Sequence, residues 1–181
     1  MWRRRSKPID ESERVIKDEQ KAKQRTMDRA IRLLAAKPRS VAELRERLLE
    51  KSWTNSHIVG EVLLKLEEYK YLDDKQYAKD LATSKLRQKP QGKRKLKQTI
   101  SQKKLDKDTV EEAIDHAFEK MPETELIQTA IEKRIRLNGI PDTREDLKKF
   151  YDHLMRQGFS YGLIREKLSE ALRQISDEES S

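Results

Sequence analysis

The sequence predicts an all-α protein made of three tandem three-helix (helix-turn-helix-like) repeats that form an elongated, curved array. Charged residues make up 41% of the 181 residues and hydrophobic residues only 34%, which favours helices with narrow apolar stripes over one deep core. Apolar positions also recur at a fixed spacing. Capping and terminating residues then divide each copy into three helices.

Six apolar positions recur in register, 52 positions later in a second copy and 106 positions later in a third. They are Leu44, Leu48, Trp53, Ile58, Val62 and Leu66, then Leu96, Ile100, Leu105, Val110, Ile114 and Phe118, then Phe150, Leu154, Phe159, Ile164, Leu168 and Leu172. Small tandem units pack mainly against their neighbours, which predicts the elongated array. The predicted parts are a basic N-terminal arm or helix extension (1–25), repeat 1 (26–72), a basic repeat 2 (73–121), repeat 3 (122–175) and an acidic tail (176–181).

Local signals place the helix ends within each copy. Pro38 ends the first helix, because proline lacks an amide donor and restrains the residue before it. Ser40 with Glu43, and Asp73 with Gln76, have the spacing of capping boxes. The turn before the third helix is expected at equivalent positions of the three copies, which are Ser52, Lys104 and Gly158.

Composition limits the classes of protein and partner. Lys and Arg outnumber Asp and Glu 41 to 33, giving a net charge of +8, which indicates a polyanionic partner. The chain contains no cysteine, so disulfide and thiolate chemistry are not available to it. No segment is apolar enough to be a signal peptide or a membrane span. We therefore expect a cytoplasmic protein that does not bind a membrane.

The strongest binding signal is an acid-free stretch from Leu81 to Leu105. Its segment 85-KLRQKPQGKRKLKQTISQKK-104 carries nine lysines and arginines, and its second helix keeps the apolar stripe of the repeat while losing the acids of the first copy. We interpret it as a surface that binds DNA phosphates. An acidic groove of a protein or a merely solvated face would also suit these charges. The candidate site residues are Lys85, Arg87, Lys89, Lys93, Arg94, Lys95 and Lys97.

Other candidate binding or catalytic sites have weaker support in the sequence. The arginines at 3–5 are a second basic candidate, equally typical of a solubilising tail. Groove reading by the third helices is disfavoured because they carry many acids, which phosphates would repel. No glycine-rich phosphate loop is present, and His57, His116 and His153 lack metal-ligand spacing. Asp73 and Asp74 suit helix capping better than a metal, and Trp53 occupies a core position of the repeat. We expect no catalytic site, metal or cofactor.

Several blocks resemble the RecX family of bacterial regulatory proteins. They are 30-AIRLLAAKPRSVAELRERLLEKSW-53, 71-YLDDKQYAKD-80, 84-SKLRQKPQGKRKLKQTISQKKLD-106 and 157-QGFSYGLIRE-166. The resemblance spans about residues 26–175. The chain differs from the family in having Gln88 and Gln91 within the basic segment, and in having lysines where the family commonly has arginines. This difference matters because lysine lacks the bidentate fork of arginine.

The resemblance implies a regulator that binds the RecA recombinase filament on single-stranded DNA. It implies inhibition of the ATPase, strand-exchange and coprotease activities of that filament, and so a role in recombination, DNA repair and the SOS response. Non-specific double-stranded DNA is a further candidate partner, and we expect a monomer. Two alternatives stay open: a stand-alone, sequence-independent nucleic-acid-binding module, and a helical adaptor for another acidic protein.

Overall fold

The computed structural model describes residues 9–11, 14 and 16–179, and the regular structure of this part is helical throughout. The three helices of each repeat follow one another along the chain, as predicted. They are α1 (Glu19–Ala36), α2 (Val41–Leu49), α3 (Ser56–Glu68), α4 (Asp74–Gln88), α5 (Lys93–Ser101), α6 (Lys107–Lys120), α7 (Glu123–Asn138), α8 (Arg144–Arg156) and α9 (Tyr161–Glu179). The all-α class with three tandem three-helix repeats is therefore confirmed.

The helices belong to two compact units. Unit 1 runs to Tyr77 and includes the turn Lys103–Leu105. Unit 2 consists of Ala78–Gln102 and the chain from Asp106 onward. Each unit has its own apolar interior, and the repeated positions found in the sequence supply half of the buried apolar residues. Four of those positions are half-buried and the remaining ones are buried; the four are Trp53, Leu105, Phe118 and Leu172.

The predicted capping residues lie at the starts of α2 and α4. Ser40 Oγ accepts a hydrogen bond from the Glu43 amide at 3.1 Å, and the Glu43 carboxylate accepts one from the Ser40 amide at 3.3 Å, which completes the capping box. Asp73 accepts from the Gln76 amide at 2.9 Å. These bonds satisfy amides that a helix leaves unpaired in its first turn.

One turn carbonyl receives a hydrogen bond in each repeat. In the turn between α5 and α6, the Lys103 carbonyl accepts from Ser40 Oγ at 2.6 Å. At the equivalent position between α8 and α9, the Gln157 carbonyl accepts from the Gly92 amide at 3.0 Å. The two donor residues occupy equivalent positions, since Gly92 lies 52 positions after Ser40, but Ser40 donates from its side chain and Gly92 from its backbone amide. A hydrogen bond at equivalent positions thus joins a turn to the start of a second helix in both units.

The turns differ in backbone conformation. Gly158 has φ +96° and Lys104 has φ +58°, both in the left-handed region. Ser52, at the equivalent position of repeat 1, does not have a positive φ. A Cβ on Gly92 would lie 2.4 Å from the Gly158 carbonyl carbon. Glycine at both positions therefore lets the two backbones approach closely enough for the hydrogen bond from Gly92.

In repeat 1 the N-terminal arm supplies the donor for this turn. Arg14 donates from Nη1 to the Lys51 and Thr54 carbonyls, both at 2.7 Å, and from Nη2 to the Leu49 carbonyl at 2.6 Å. Its side chain is only 3% exposed. Lys51 is the equivalent of Lys103 and Gln157, so Arg14 takes the place that a neighbouring repeat takes in the other two copies.

The first and last helices extend into the predicted N-terminal arm and the predicted acidic tail, and some terminal residues are outside the described ranges. Helix α1 begins at Glu19, within the predicted arm, and α9 continues to Glu179, into the predicted acidic tail. The arginines at 3–5 and the last two serines lie outside the described residues. Within the described residues, no helix is long and apolar enough to cross a bilayer.

Candidate anion-binding surface of unit 2

Unit 2 carries the predicted basic residues on the end of α4, the following turn and α5. Lys85 is half-buried, and the other six candidates are exposed. Helix α5 buries Leu96 and Ile100 against the interior of unit 2 and presents its basic side chains on the remaining faces. Gly92 is the N-cap of α5, and its amide is bonded to the carbonyl of Gln157.

Three of the seven candidates bind partners within unit 2. Lys93 Nζ lies 2.7 Å from Asp115, and Lys97 forms an ion pair with Glu111, so two acids of α6 neutralise two of the four cations of α5. The hydrogen bond that Lys93 donates to Asp115 is the main cause that raises the pKa of Lys93. Arg94 donates to the carbonyl of Met155 at 2.8 Å. These three side chains therefore have a structural role whether or not they meet a ligand.

Two further cations of the acid-free stretch are paired within unit 1. Lys103 lies 3.0 Å from Glu43, and Lys104 forms an ion pair with Glu46. The acids that the stretch itself lacks are therefore supplied in part by other helices. Part of the charge bias has a structural explanation.

Four of the predicted site residues keep their charge unneutralised. Across the part of the chain that the structure describes, no ion pair joins a carboxylate to Lys85, Arg87, Lys89 or Lys95. Lys85 and Lys89 are one helical turn apart, which places them on the same side of the end of α4. These four residues, which we call the unpaired cations, form the candidate surface for an anionic partner.

The structure adds two arginines that the sequence analysis missed. Arg134 on α7 and Arg156 at the end of α8 act with Lys89 on His153. The pKa of His153 is lowered from its usual value, first by burial and then by these three positive charges. The arginines come from repeat 3, far from the acid-free stretch, so the charge pattern of that stretch gave no indication of them.

Unit 1 contains a group with the composition of a metal site. Ligand atoms of Glu19, His57 and Glu61 lie within 4.8 Å of one another. Lys23 Nζ lies 2.9 Å from each of the two carboxylates. Its hydrogen bond is the largest influence on the pKa of Glu61 and lowers it. The lysine already provides the positive charge that the two acids need, so the geometry favours an ion-pair cluster over a metal centre.

Trp53 is half-buried, as its repeat position predicts, and one face of its ring is occupied. The guanidinium carbon of Arg25 lies 4.6 Å from the ring centroid, within the range of a cation–π interaction. A base could stack on this face only by displacing Arg25. The contact therefore favours the interpretation of Trp53 as a packing residue.

The tandem three-helix repeats and the exposed lysines and arginines define a helical repeat protein with a basic surface. Comparison with known families is more specific. The models of the first, second and third three-helix domains of RecX match residues 27–66, 73–114 and 122–168. The chain belongs to the RecX family of regulatory proteins.

Individual relatives agree with this assignment. Regulatory protein RecX of Chlorobaculum tepidum is 33% identical over 85% of this chain and 92% of its own length. That of Prosthecochloris aestuarii is 31% identical over 82% and 94%. The chain spans only 55% of the length of the Bacillus subtilis protein, which is 28% identical.

Solved structures share the fold. The crystal structure of RecX from Lactobacillus salivarius superposes with a TM-score of 0.73 at 22% identity, covering 83% of this chain and 97% of the other. A second crystal structure, of a regulatory protein RecX, gives a TM-score of 0.68 at 20% identity, covering 82% and 72%. The arrangement of helices is therefore a property of the family.

Proposed function

We propose that the protein binds the filament that RecA forms on single-stranded DNA and inhibits its ATPase, strand-exchange and coprotease activities. Membership of a family of RecX regulatory proteins supports a recombinase-related partner. The observation that carries the binding surface is the group of unpaired cations on α4 and α5. Charges that no carboxylate of the described chain neutralises are available to an anionic partner at little structural cost.

The binding would be electrostatic in origin. Exposed lysines and arginines that neutralise phosphates release counterions, so affinity should fall steeply as salt rises. Repeats bound across neighbouring recombinase subunits would hinder the conformational or exchange steps that sustain an active filament. The protein would act as a monomer in the cytoplasm, without a cofactor and without chemistry of its own.

A stand-alone nucleic-acid-binding module is the second candidate. The unpaired cations favour it as well, because a phosphate backbone alone satisfies them and no recombinase is needed. Double-stranded DNA would then be bound without sequence preference. The two functions differ in how much protein is needed to stop recombinase turnover.

The test is ATP hydrolysis by RecA of the same organism on single-stranded DNA. The test variant combines Lys85→Gln, Arg87→Gln and Lys95→Gln. Its matched control combines Lys37→Gln, Arg45→Gln and Lys107→Gln, which removes the same charge from exposed residues elsewhere. We expect inhibition by the wild type and by the control at ratios too low to cover the DNA, and weaker inhibition by the test variant.

Direct binding to single-stranded DNA completes this test. Loss of three phosphate contacts should reduce the slope of log affinity against log salt by about two. Equal inhibition by the test and control variants would reject the unpaired cations as the site. Inhibition that begins only when the DNA is saturated would reject filament regulation in favour of the stand-alone module.

A further inference from the structure

Four basic or titratable side chains converge in unit 2 outside α5. Three come from repeat 3, and the fourth is the predicted cation that directly follows the last residue of α4. We call this cluster the α8 anion site, and it consists of Lys89, Arg134, His153 and Arg156. Lys89 and Arg156 are exposed, whereas Arg134 and His153 are half-buried. The cluster thus has an accessible rim and a partly desolvated interior.

Packing holds Arg134 of α7 close to α8. Its guanidinium carbon lies 5.1 Å from the ring centroid of Phe150. Phe150 and His153 are three residues apart on α8, so they share one face of that helix, as do His153 and Arg156. The Nε of Arg134 is buried without a hydrogen-bond partner, so the guanidinium has unused donor capacity in this setting.

The segment that carries Lys89 is attached to the end of α8. The Gly92 amide donates to the Gln157 carbonyl at 3.0 Å, and Arg94 donates to the Met155 carbonyl at 2.8 Å. Gln157 also places its Nε2 3.4 Å from Nε2 of His153. These bonds keep Lys89, three residues before Gly92, near the histidine.

The cluster carries an excess of positive charge. Within the residues that the structure describes, none of the carboxylates forms an ion pair with Lys89, Arg134 or Arg156. The charged groups acting on His153 are Arg134 from α7, Arg156 from α8 itself and Lys89 from the end of α4, all of them positive. Like charges gathered around a half-buried imidazole are unfavourable unless an anion joins them.

We propose that the α8 anion site binds a backbone phosphate of single-stranded DNA, with His153 gaining a proton as the phosphate binds. The proposal deepens the proposed function and rests on it, since it names repeat 3 as a second DNA contact. DNA is favoured over an acidic protein because Lys85 continues the row of cations one turn before Lys89. A polymer with regularly spaced phosphates can meet such a row at several points, whereas a single carboxylate cannot.

Proton uptake gives the binding a defined dependence on pH. The free imidazole is neutral at neutral pH because its pKa is lowered. A bound phosphate favours the imidazolium, so affinity should rise as pH falls through the pKa of the complex and level off below that of the free protein. A rise of about one pKa unit on binding corresponds to about tenfold tighter binding to the protonated form.

The experiment is a histidine NMR titration of the full chain with and without an oligothymidylate of about 20 nucleotides. The chain has only three histidines, and His153→Gln identifies the resonance. Saturating oligonucleotide should raise the pKa of His153. An unchanged pKa of His153 at saturation would overturn the proposal.

Variants separate phosphate binding from general charge. Arg156→Gln changes an exposed residue and leaves the contact of Arg134 with Phe150 in place. It should weaken oligonucleotide binding about fivefold to tenfold and reduce the rise in the pKa of His153. Arg136→Gln removes the same charge from exposed α7, and an equal loss there would reject the site. A response to polyglutamate but not to oligothymidylate would replace DNA with an acidic protein.

The recombinase assay keeps this proposal distinct from the proposed function. If His153→Gln and Arg156→Gln inhibit RecA normally and DNA leaves the pKa of His153 in the wild type unchanged, the α8 anion site is rejected and the proposed regulation of RecA is retained. If the wild type never inhibits RecA but the pKa rises with DNA, the site stands and filament regulation fails.

Discussion

Substitution of Gly92 by alanine should destabilise unit 2. An added Cβ would lie 2.4 Å from the carbonyl carbon and oxygen of Gly158 and from the amide of Phe159, all backbone atoms that cannot rotate away. Gly92 has φ −79°, so alanine meets no backbone strain there and the cost is steric. Overpacking costs about 1–3 kcal/mol, and loss of the hydrogen bond to Gln157 about 0.5–1.5 kcal/mol. The free energy of unfolding should therefore fall by about 2–4 kcal/mol.

Gly162→Ala is the matched control within the same unit. Gly162 lies in the first turn of α9 with nothing within 4 Å of a built Cβ, so alanine should stabilise the helix by about 0.5–1 kcal/mol. Amide hydrogen exchange over 93–101 and 144–156 measures the effect of Gly92→Ala locally, and exchange over 161–179 measures that of Gly162→Ala. We expect protection to fall about 30-fold to 700-fold for Gly92→Ala. Unchanged protection in that variant, or changes of the same sign in both, would refute the close backbone approach.

Two predictions concern unit 1. Arg14→Ala removes three hydrogen bonds to turn carbonyls and should lower the free energy of unfolding by about 2–4 kcal/mol; Arg14→Lys should recover only part of this because lysine lacks the planar fork. Urea unfolding followed by Trp53 fluorescence, in a variant without Trp2, tests this, and unaltered stability of Arg14→Ala would contradict it. Burial, assisted by Glu43, raises the pKa of Tyr77 to about 12. The protonated phenol should contribute fully to the free energy of unfolding below about pH 10, and this contribution should be lost as pH rises towards 12. Tyr77→Phe should therefore lose less stability over this pH range. An identical loss of stability in Tyr77→Phe would contradict the assignment of the loss to Tyr77.

The fold followed from local features of the sequence. The capping box of Ser40 and Glu43 spans three residues, and the apolar stripe of each helix repeats within two turns, so both are visible without tertiary information. Gly158 occupies the third of the predicted turn positions, where glycine favours a left-handed backbone, and its φ is +96°. The equivalent Lys104 adopts φ +58° without being glycine, which shows that packing of the repeat imposes the turn even on an unsuitable residue.

The candidate site was predictable only in part. Loss of acids from 81–105 is a property of the sequence, but the partners of its cations are not. Lys93 meets Asp115 across 22 positions, and Arg94 meets the carbonyl of Met155 across 61. Such pairs depend on how the helices pack, which no local pattern encodes. For the same reason the sequence overestimated the free charge of α5 and missed Arg134.

The Arg14 contact bears on how a tandem array can be shortened or redesigned. Solenoid arrays commonly protect an exposed end with a whole polar capping repeat. Here a single guanidinium covers the turn carbonyls of the first copy, because the repeated junction presents only a few backbone acceptors there. A truncated protein that starts at repeat 2 would leave the Lys103 carbonyl without its Ser40 donor. Grafting the arm that carries Arg14 ahead of α4 is then the smallest change that could close the new end.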